Sequence, residues 1–170
     1  MIFATVGTQG QFDRLIRTID TWAGLRGRSD VFAQTGPSGY RADHIRTEKF
    51  IDPAEFRRQV EAANLVISHA GMGSIITALE LGKQIIVMPR KASLGEHRND
   101  HQLATAKRFA EQGRILVAFT EAELIEKLDQ VPLVAGAERL GIETSPRLLF
   151  TIRTFIETGS VASMCDDSST

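Results

Sequence analysis

The sequence predicts an α/β fold in which helices cover both faces of a doubly wound, mainly parallel sheet. Three observations predict it. Strand-length apolar runs alternate with amphipathic helical runs. The connections between them are short. Glycine-rich turns follow the first and fourth apolar runs, at Gly7–Gly10 and Gly71–Gly73.

Residues 1–6 read as a buried strand and Gly7-Thr8-Gln9-Gly10 as the loop after it. Phe12, Leu15, Ile16, Ile19 and Trp22 then share one helical face, with Gly24 as a stop. Val31-Phe32-Ala33 is a second strand, closed by the turn Gly36-Pro37-Ser38-Gly39. Residues 45–50 form a weaker third strand. Asp52 and Pro53 open a helix as N-cap and first helical residue. Residues 64–68 and 84–88 are the fourth and fifth strands, flanking a helix that turns Ile75, Ile76, Leu79 and Gly82 inward. Asn99 or Asp100 caps the next helix, which points Leu103, Ala106, Phe109 and Ala110 to the core and stops at Gly113. Arg114 to Ala118 is a sixth strand, and Thr120 with Glu123 makes a capping box for the helix through Leu128. Ser145-Pro146 opens a last helix carrying Leu148, Leu149, Ile152, Phe155 and Ile156. One domain spans residues 1–158, and residues 159–170 read as a disordered tail.

The 170 residues suffice for one domain with a substantial core. A formal net charge of -1 gives no basis for electrostatic capture of nucleic acid. The single cysteine, Cys165, excludes an intrachain disulfide framework and fits a reducing compartment. No basic n-region precedes the first apolar run, and no stretch approaches the ~20 apolar residues of a membrane span. A cytoplasmic location is expected.

Residues 64–74, Asn-Leu-Val-Ile-Ser-His-Ala-Gly-Met-Gly-Ser, carry the densest functional signal. A strand feeding a glycine-rich helix N-terminus offers free backbone N–H groups and a favourable dipole to an anion. Gly71 and Gly73 let a phosphate approach the backbone, Ser74 adds a hydroxyl, and His69 adds an imidazole. This is the pattern of a diphosphate cradle. The same glycines and serine also suit a strand-to-helix turn with no ligand, and a strand-end histidine also suits simple packing.

In a doubly wound sheet, ligands sit beyond the carboxyl ends of the strands. That edge also receives Gly7–Gly10 and the stretch from Pro89 to Gln102. Gly7 and Thr8 are candidate ligand contacts, or simply shape the first turn. Arg90 and Arg98 suit a phosphate or carboxylate, while His101 and Gln102 suit sugar hydroxyls. The alternative is a solvated loop and cap. His97 and His101, four apart beside Asp100, raise a metal site, but no cysteine or third histidine lies locally to complete it. A dinucleotide fingerprint is absent: the first turn lacks G-x-G-x-x-G, and Gln34 stands where an acidic ribose ligand would be. Neither a P-loop GK[ST] nor a G-x-S-x-G elbow occurs.

The run Ser68-His69-Ala70-Gly71-Met72-Gly73-Ser74, then Gly82-Lys83-Gln84-Ile85-Ile86-Val87-Met88-Pro89, then His97 to Gln102, resembles the C-terminal domain of glycosyltransferase family 28. The opening Thr5-Val6-Gly7-Thr8 fits the same family, and the likeness covers about residues 1–157. It is nearest to single-domain half-enzymes: PssE-type subunits of exopolysaccharide assembly, and the cytosolic subunit of the eukaryotic two-part transferase that adds N-acetylglucosamine to a dolichol-linked sugar.

The resemblance implies a Rossmann-like domain, the C-terminal, donor-binding half of a GT-B fold. It implies a UDP-sugar donor as substrate, no cofactor and no required metal. His69, Gly71, Gly73 and Ser74 would hold the diphosphate. Thr77 falls on the ribose side, where many relatives carry an acidic residue. His101 and Gln102 match the pair that holds the donor sugar, with Asn99 and Asp100 flanking them. No catalytic base is identified in this chain. The resemblance implies that it comes from a membrane-anchored partner, the GT-B N-terminal-type half, which binds a lipid-linked sugar acceptor. The chain would then be peripheral at the inner face of a membrane. The last helix is a candidate docking element for that partner, or packs on its own sheet. The alternative function is a non-catalytic nucleotide-sugar-binding or regulatory module.

Overall fold

A computed structural model describes residues 1–111, 113 and 115–131. The last predicted helix and the predicted tail lie outside them. Six strands, β1 (Ile2–Thr5), β2 (Val31–Gln34), β3 (Arg46–Glu48), β4 (Leu65–His69), β5 (Gln84–Met88) and β6 (Leu116–Val117), form one sheet. Their order is β3-β2-β1-β4-β5-β6, and every pair is parallel. The expected doubly wound sheet is therefore present, with its reversal point between β1 and β4.

Alternation along the central strands sorts the helices. Ile2 and Ala4 of β1, with Leu65 and Ile67 of β4, face α1 (Asp13–Leu25) and α5 (Glu121–Gln130). Phe3, Val66, Ile85 and Val87 face α2 (Pro53–Ala62), α3 (Met72–Glu80) and α4 (His101–Glu111). Both faces of the central strands are thus covered, which is why they read as continuous apolar runs. β3 is an exposed edge strand and shorter than expected, since only Arg46–Glu48 find a ladder on β2.

Caps mark several helix starts as the sequence predicts. Glu55 N–H donates to Asp52 Oδ1 at 2.8 Å, and Glu123 N–H donates to Thr120 Oγ1 at 3.2 Å. Glu123 reaches back one residue further than a standard box, to Phe119 N–H at 2.9 Å.

Three sequence expectations are corrected. α1 does not stop at Gly24 but runs to Leu25, and the chain turns at Gly27, where φ is +61°. Gly24 is glycine because the His44 ring lies where its Cβ would be. Gly82 is exposed at φ +61° just past α3, a C-terminal turn and not a core residue. Ala110 is exposed, because α4 turns only Ala106 and Phe109 fully inward.

A further anchor was not legible in the sequence. Asp20, buried on α1, accepts from Tyr40 Oη and from the backbone N–H groups of Asp43, His44 and Ile45. One carboxylate thereby fixes the connection from β2 to β3. Among the described residues no helix is long and apolar enough to cross a membrane.

Candidate functional site

A cleft of about 470 Å³ opens beyond the carboxyl ends of the strands at the reversal point. His69, Gly71, Gly73, Ser74 and Thr77 line one wall, and Thr5, Gly7, Thr8 and Gln9 another. Arg90, His97 and Gln102 contribute from the connection after β5. Ile51, Pro53 and Phe56, at the start of α2, give it an apolar side, and Gln34 lies beneath.

The β4–α3 turn has the geometry of an anion cradle. α3 begins at an N-cap glycine, Gly71, with no side-chain cap. The first-turn N–H groups of Met72, Gly73 and Ser74 are left for an external acceptor. A Cβ on Gly73 would meet nothing within 4 Å, so its face of the turn is open to the cleft. Ser74 is buried beside it. Thr77 Oγ1 donates to Gly73 O at 2.9 Å, which spends the hydroxyl proton within the helix and leaves the oxygen as an acceptor.

Gly71 has a second reason to be glycine. A Cβ there would stand 2.2 Å from His69 Nε2, and a Cβ on Gly7 would stand 2.6 Å from His69 Cε1. The imidazole is boxed between two turns, one from β1 and one from β4. Gly7 also has φ +75°, which other residues rarely adopt. Its N–H donates to Thr5 Oγ1 at 3.1 Å, and Thr5 Oγ1 in turn donates to Gln34 Oε1 at 2.6 Å. Gln34 thus occupies the expected ribose-ligand place as a brace for the β1 turn.

Burial and the nearby Arg90 guanidinium push the His69 pKa down to about 4. The ring is therefore neutral at pH 7, and its buried Nδ1 has no hydrogen-bond partner. An orphaned buried polar atom costs about 1–3 kcal/mol, and the ring's hydrogen bond with the Thr5 backbone offsets only part of the cost of burial.

Arg90 is not a free cation. Its side chain, 3% exposed, donates to Val6 O and Gly10 O, each at 2.9 Å, and to Gln9 O. The guanidinium rivets the carbonyl side of the Gly7–Gly10 loop, and a Cβ on Gly10 would sit 3.0 Å from it. Its contribution to the cleft is positive potential at a fixed place.

The connection after β5 distributes its polar residues unevenly. Gln102 lines the cleft, with Oε1 accepting from Arg90 N–H at 3.1 Å. Asn99, Asp100 and His101 are exposed and stand outside the cleft walls. Asp100 Oδ1 accepts from Ala92 N–H at 3.0 Å. His97, part of the stretch expected at this edge and not among the named candidate contacts, lines the cleft. Thr5, Gln34 and the Ile51–Phe56 side were missed, because nothing local marks a residue that closes a cleft from a neighbouring strand.

Residues 1–139 match the model of the glycosyltransferase family 28 C-terminal domain. The UDP-N-acetylglucosamine transferase subunit ALG13 of Homo sapiens is 32% identical over 124 residues, 67% of this chain and 10% of that protein. The subunit of the same name from Saccharomyces cerevisiae is 36% identical over 93 residues, 48% of this chain and 44% of that protein. The chain thus spans less than half of the length of these relatives. Among solved structures, that of ALG13 has a TM-score of 0.55 at 21% identity, covering 89% of this chain and 96% of that one. The glycotransferase of kitacinnamycin has a TM-score of 0.56 at 20% identity, covering 89% of this chain and 40% of that one. The fold, the reversal-point cleft and the family match agree: the chain belongs to the glycosyltransferase family 28 C-terminal domain family and has the Rossmann-like architecture of that half of a GT-B fold.

Proposed function

We propose that this chain is the donor-binding, catalytic subunit of a two-component glycosyltransferase. It moves a hexose-type sugar from a UDP-sugar to a lipid-linked acceptor in polysaccharide biosynthesis. The observation that carries the reading is the uncapped α3 N-terminus, open at Gly73, beside a neutral His69 at the cleft wall. The names of the ALG13 relatives, subunits of a UDP-N-acetylglucosamine transferase, support both the donor class and the need for a second subunit.

The chemistry follows from charge. Cleavage of the sugar–phosphate bond leaves negative charge on UDP. Preorganised N–H groups at α3, with the Arg90 potential behind the β1 turn, stabilise that charge as it develops. No metal is needed where these groups suffice. His69 donates a neutral hydrogen bond, Ser74 adds a hydroxyl, and Thr77 accepts from the ribose side. Gln102 faces the donor sugar. The acceptor hydroxyl loses its proton to a base carried by the partner, a membrane-anchored acceptor-binding subunit. That partner would hold this chain at the inner face of the membrane.

Gly73→Asp separates binding from folding. Its Cβ meets open space, and a carboxylate in the first turn favours α3 through the dipole. The same carboxylate repels a diphosphate. Calorimetric titration with UDP, UDP-glucose, UDP-N-acetylglucosamine and UDP-glucuronate is expected to show binding by the wild type. The variant should lose on the order of 100-fold or more, with melting temperature preserved. Unchanged UDP binding by the folded variant would remove the cradle from this proposal.

A further inference from the structure

The cleft wall is short of free hydrogen-bond acceptors. None of the described residues that line it is an aspartate or a glutamate. Two carboxylates stand beside lining residues in sequence, and both are engaged elsewhere. Asp52, between Ile51 and Pro53, caps α2 by accepting from Glu55 N–H at 2.8 Å. Glu96, next to His97, accepts from Arg14 of α1 through both oxygens and from Lys91 N–H at 2.9 Å.

Neutral acceptors of the lining are committed in the same way. Gln34 Oε1, at the end of β2, accepts from the Thr5 hydroxyl at 2.6 Å. Thr5 Oγ1 accepts in turn from Gly7 N–H at 3.1 Å. Gln102 Oε1 accepts from Arg90 N–H at 3.1 Å. Each of these bonds lies within the protein and needs no ligand.

Thr77 is the side chain placed to meet the pentose of a nucleotide. It lines the cleft four residues along α3 from Gly73. That spacing is about 6 Å of helix rise on one face. Its hydroxyl donates to Gly73 O at 2.9 Å, so its oxygen is left as a single neutral acceptor. A carboxylate has two oxygens and can accept from both hydroxyls of a ribose. One hydroxyl oxygen is served by one of them, and the 3′-hydroxyl is common to ribose and 2-deoxyribose.

We infer that this cleft does not discriminate against 2′-deoxynucleotides. Its donor class is a sugar joined through a diphosphate to a ribonucleoside or a 2′-deoxyribonucleoside, with Thr77 as the specificity-determining residue. This rests on the donor-site reading above and widens its substrate class. The reason lies in what a missing hydroxyl leaves behind. A site rejects an analogue strongly when loss of a ligand hydroxyl strands a buried protein group without a partner. Here Thr77, Gln34 and Thr5 keep their partners inside the protein with or without a 2′-hydroxyl.

Calorimetric titration of the full chain with UDP and 2′-deoxy-UDP isolates the 2′-hydroxyl, since base and diphosphate are the same. Wild-type affinities should agree within about threefold. Thr77→Glu introduces a charged, two-oxygen acceptor at a half-buried helix position. It should weaken both nucleotides, because its charge lies near the diphosphate, and raise the ratio of UDP to 2′-deoxy-UDP affinity by about tenfold. Thr77→Ala should weaken both alike and leave that ratio within about twofold of wild type. A wild-type preference for UDP above about tenfold overturns the inference, and so does a ratio in folded Thr77→Glu equal to that of wild type. Where the glutamate variant does not fold, the wild-type ratio decides alone. A wild type that binds neither nucleotide overturns the donor-site reading itself, a separate and recognisable failure.

Discussion

At the β1–β4 wall of the cleft the shaping agents are missing atoms; at the β5–α4 wall they are added side chains. Gly7 and Gly71 make room for the His69 ring from opposite sides, and Gly73 leaves an open face above the α3 N-terminus. In the connection that carries the lining residues Arg90, His97 and Gln102, the side chains of Glu96, Asp100 and Gln102 each cover one backbone N–H, and Arg14 ties the connection to α1. The first wall is steric and backbone-made, and at Gly7 and Gly71 it leaves no room for a Cβ. The second is a network of individual hydrogen bonds, and it loosens by increments. In the proposed function the diphosphate, common to many donors, would meet the wall shaped by Gly7, Gly71 and Gly73.

The comparison breaks first at Gly71. Gly71→Ala puts a Cβ 2.2 Å from His69 Nε2 while φ of -90° remains allowed, so the clash is the main penalty. Overpacking of this kind costs about 1–3 kcal/mol. Removing the ring should remove most of it. In a double-mutant cycle by denaturant unfolding, Gly71→Ala should cost about 2 kcal/mol more in wild type than in His69→Ala. A few tenths to about 1 kcal/mol will persist in both, because alanine is a poorer N-cap than glycine. Equal costs in the two backgrounds would mean that His69 does not set the shape of this wall.

The glycines and the helix start were legible in the sequence because they are contiguous: Ser68 to Ser74 names strand end, turn and helix in one run. The alternation of apolar runs gave the sheet for the same reason. The roles within the β5–α4 connection were not legible. A stretch of Glu, His, Asn, Asp, His and Gln is equally able to bind sugar or to cap its own backbone. Only the path of the chain back past Arg90–Ala92 decides which side chain does which. By sequence Arg90 suits a phosphate or carboxylate, but its two terminal guanidinium nitrogens donate to carbonyls 80 or more residues away. No local pattern encodes that meeting. Gly24 has the look of a helix stop in sequence, yet it is a contact site for His44 twenty residues on, and the turn falls at Gly27.

A comparable effect, about 2 kcal/mol and spread over a range of pH, belongs to the protonation of His69. Its folded pKa is about 4, against 6.5 for an ordinary histidine. Below pH 6.5 the unfolded chain takes up a proton that the folded chain refuses until about pH 4. Stability contributed by the neutral ring is therefore complete above pH 6.5 and is lost progressively as pH falls toward 4. Each tenfold difference in proton affinity is worth about 1.4 kcal/mol, and partial access of water to the ring reduces the total to roughly 2 kcal/mol. Urea unfolding at pH 7 and pH 4.5 should show this slope in wild type and a shallower one in His69→Asn. Identical slopes would place the imidazole in a more polar setting than the two glycine turns provide.

The smallest expected effect sharpens the other half of the comparison. Asp100 is exposed, and its staple to Ala92 N–H, 3.0 Å long, is a single hydrogen bond, worth about 0.5–1.5 kcal/mol. Asp100 also stands just before α4, where negative charge favours the helix by about 0.3–1 kcal/mol. Asp100→Ala removes both, whereas Asp100→Asn keeps a side-chain acceptor and removes only the charge. Amide hydrogen exchange at Ala92 should accelerate by about fivefold to tenfold in the alanine variant and return close to wild type in the asparagine variant. Exchange at the β1 and β4 amides should not change in either, because the glycine-built wall shares none of these bonds. Acceleration that spreads into β4 would show the two walls to be one cooperative unit. Acceleration equal in alanine and asparagine variants would assign the effect to charge at the helix start, and the staple would then carry no weight of its own.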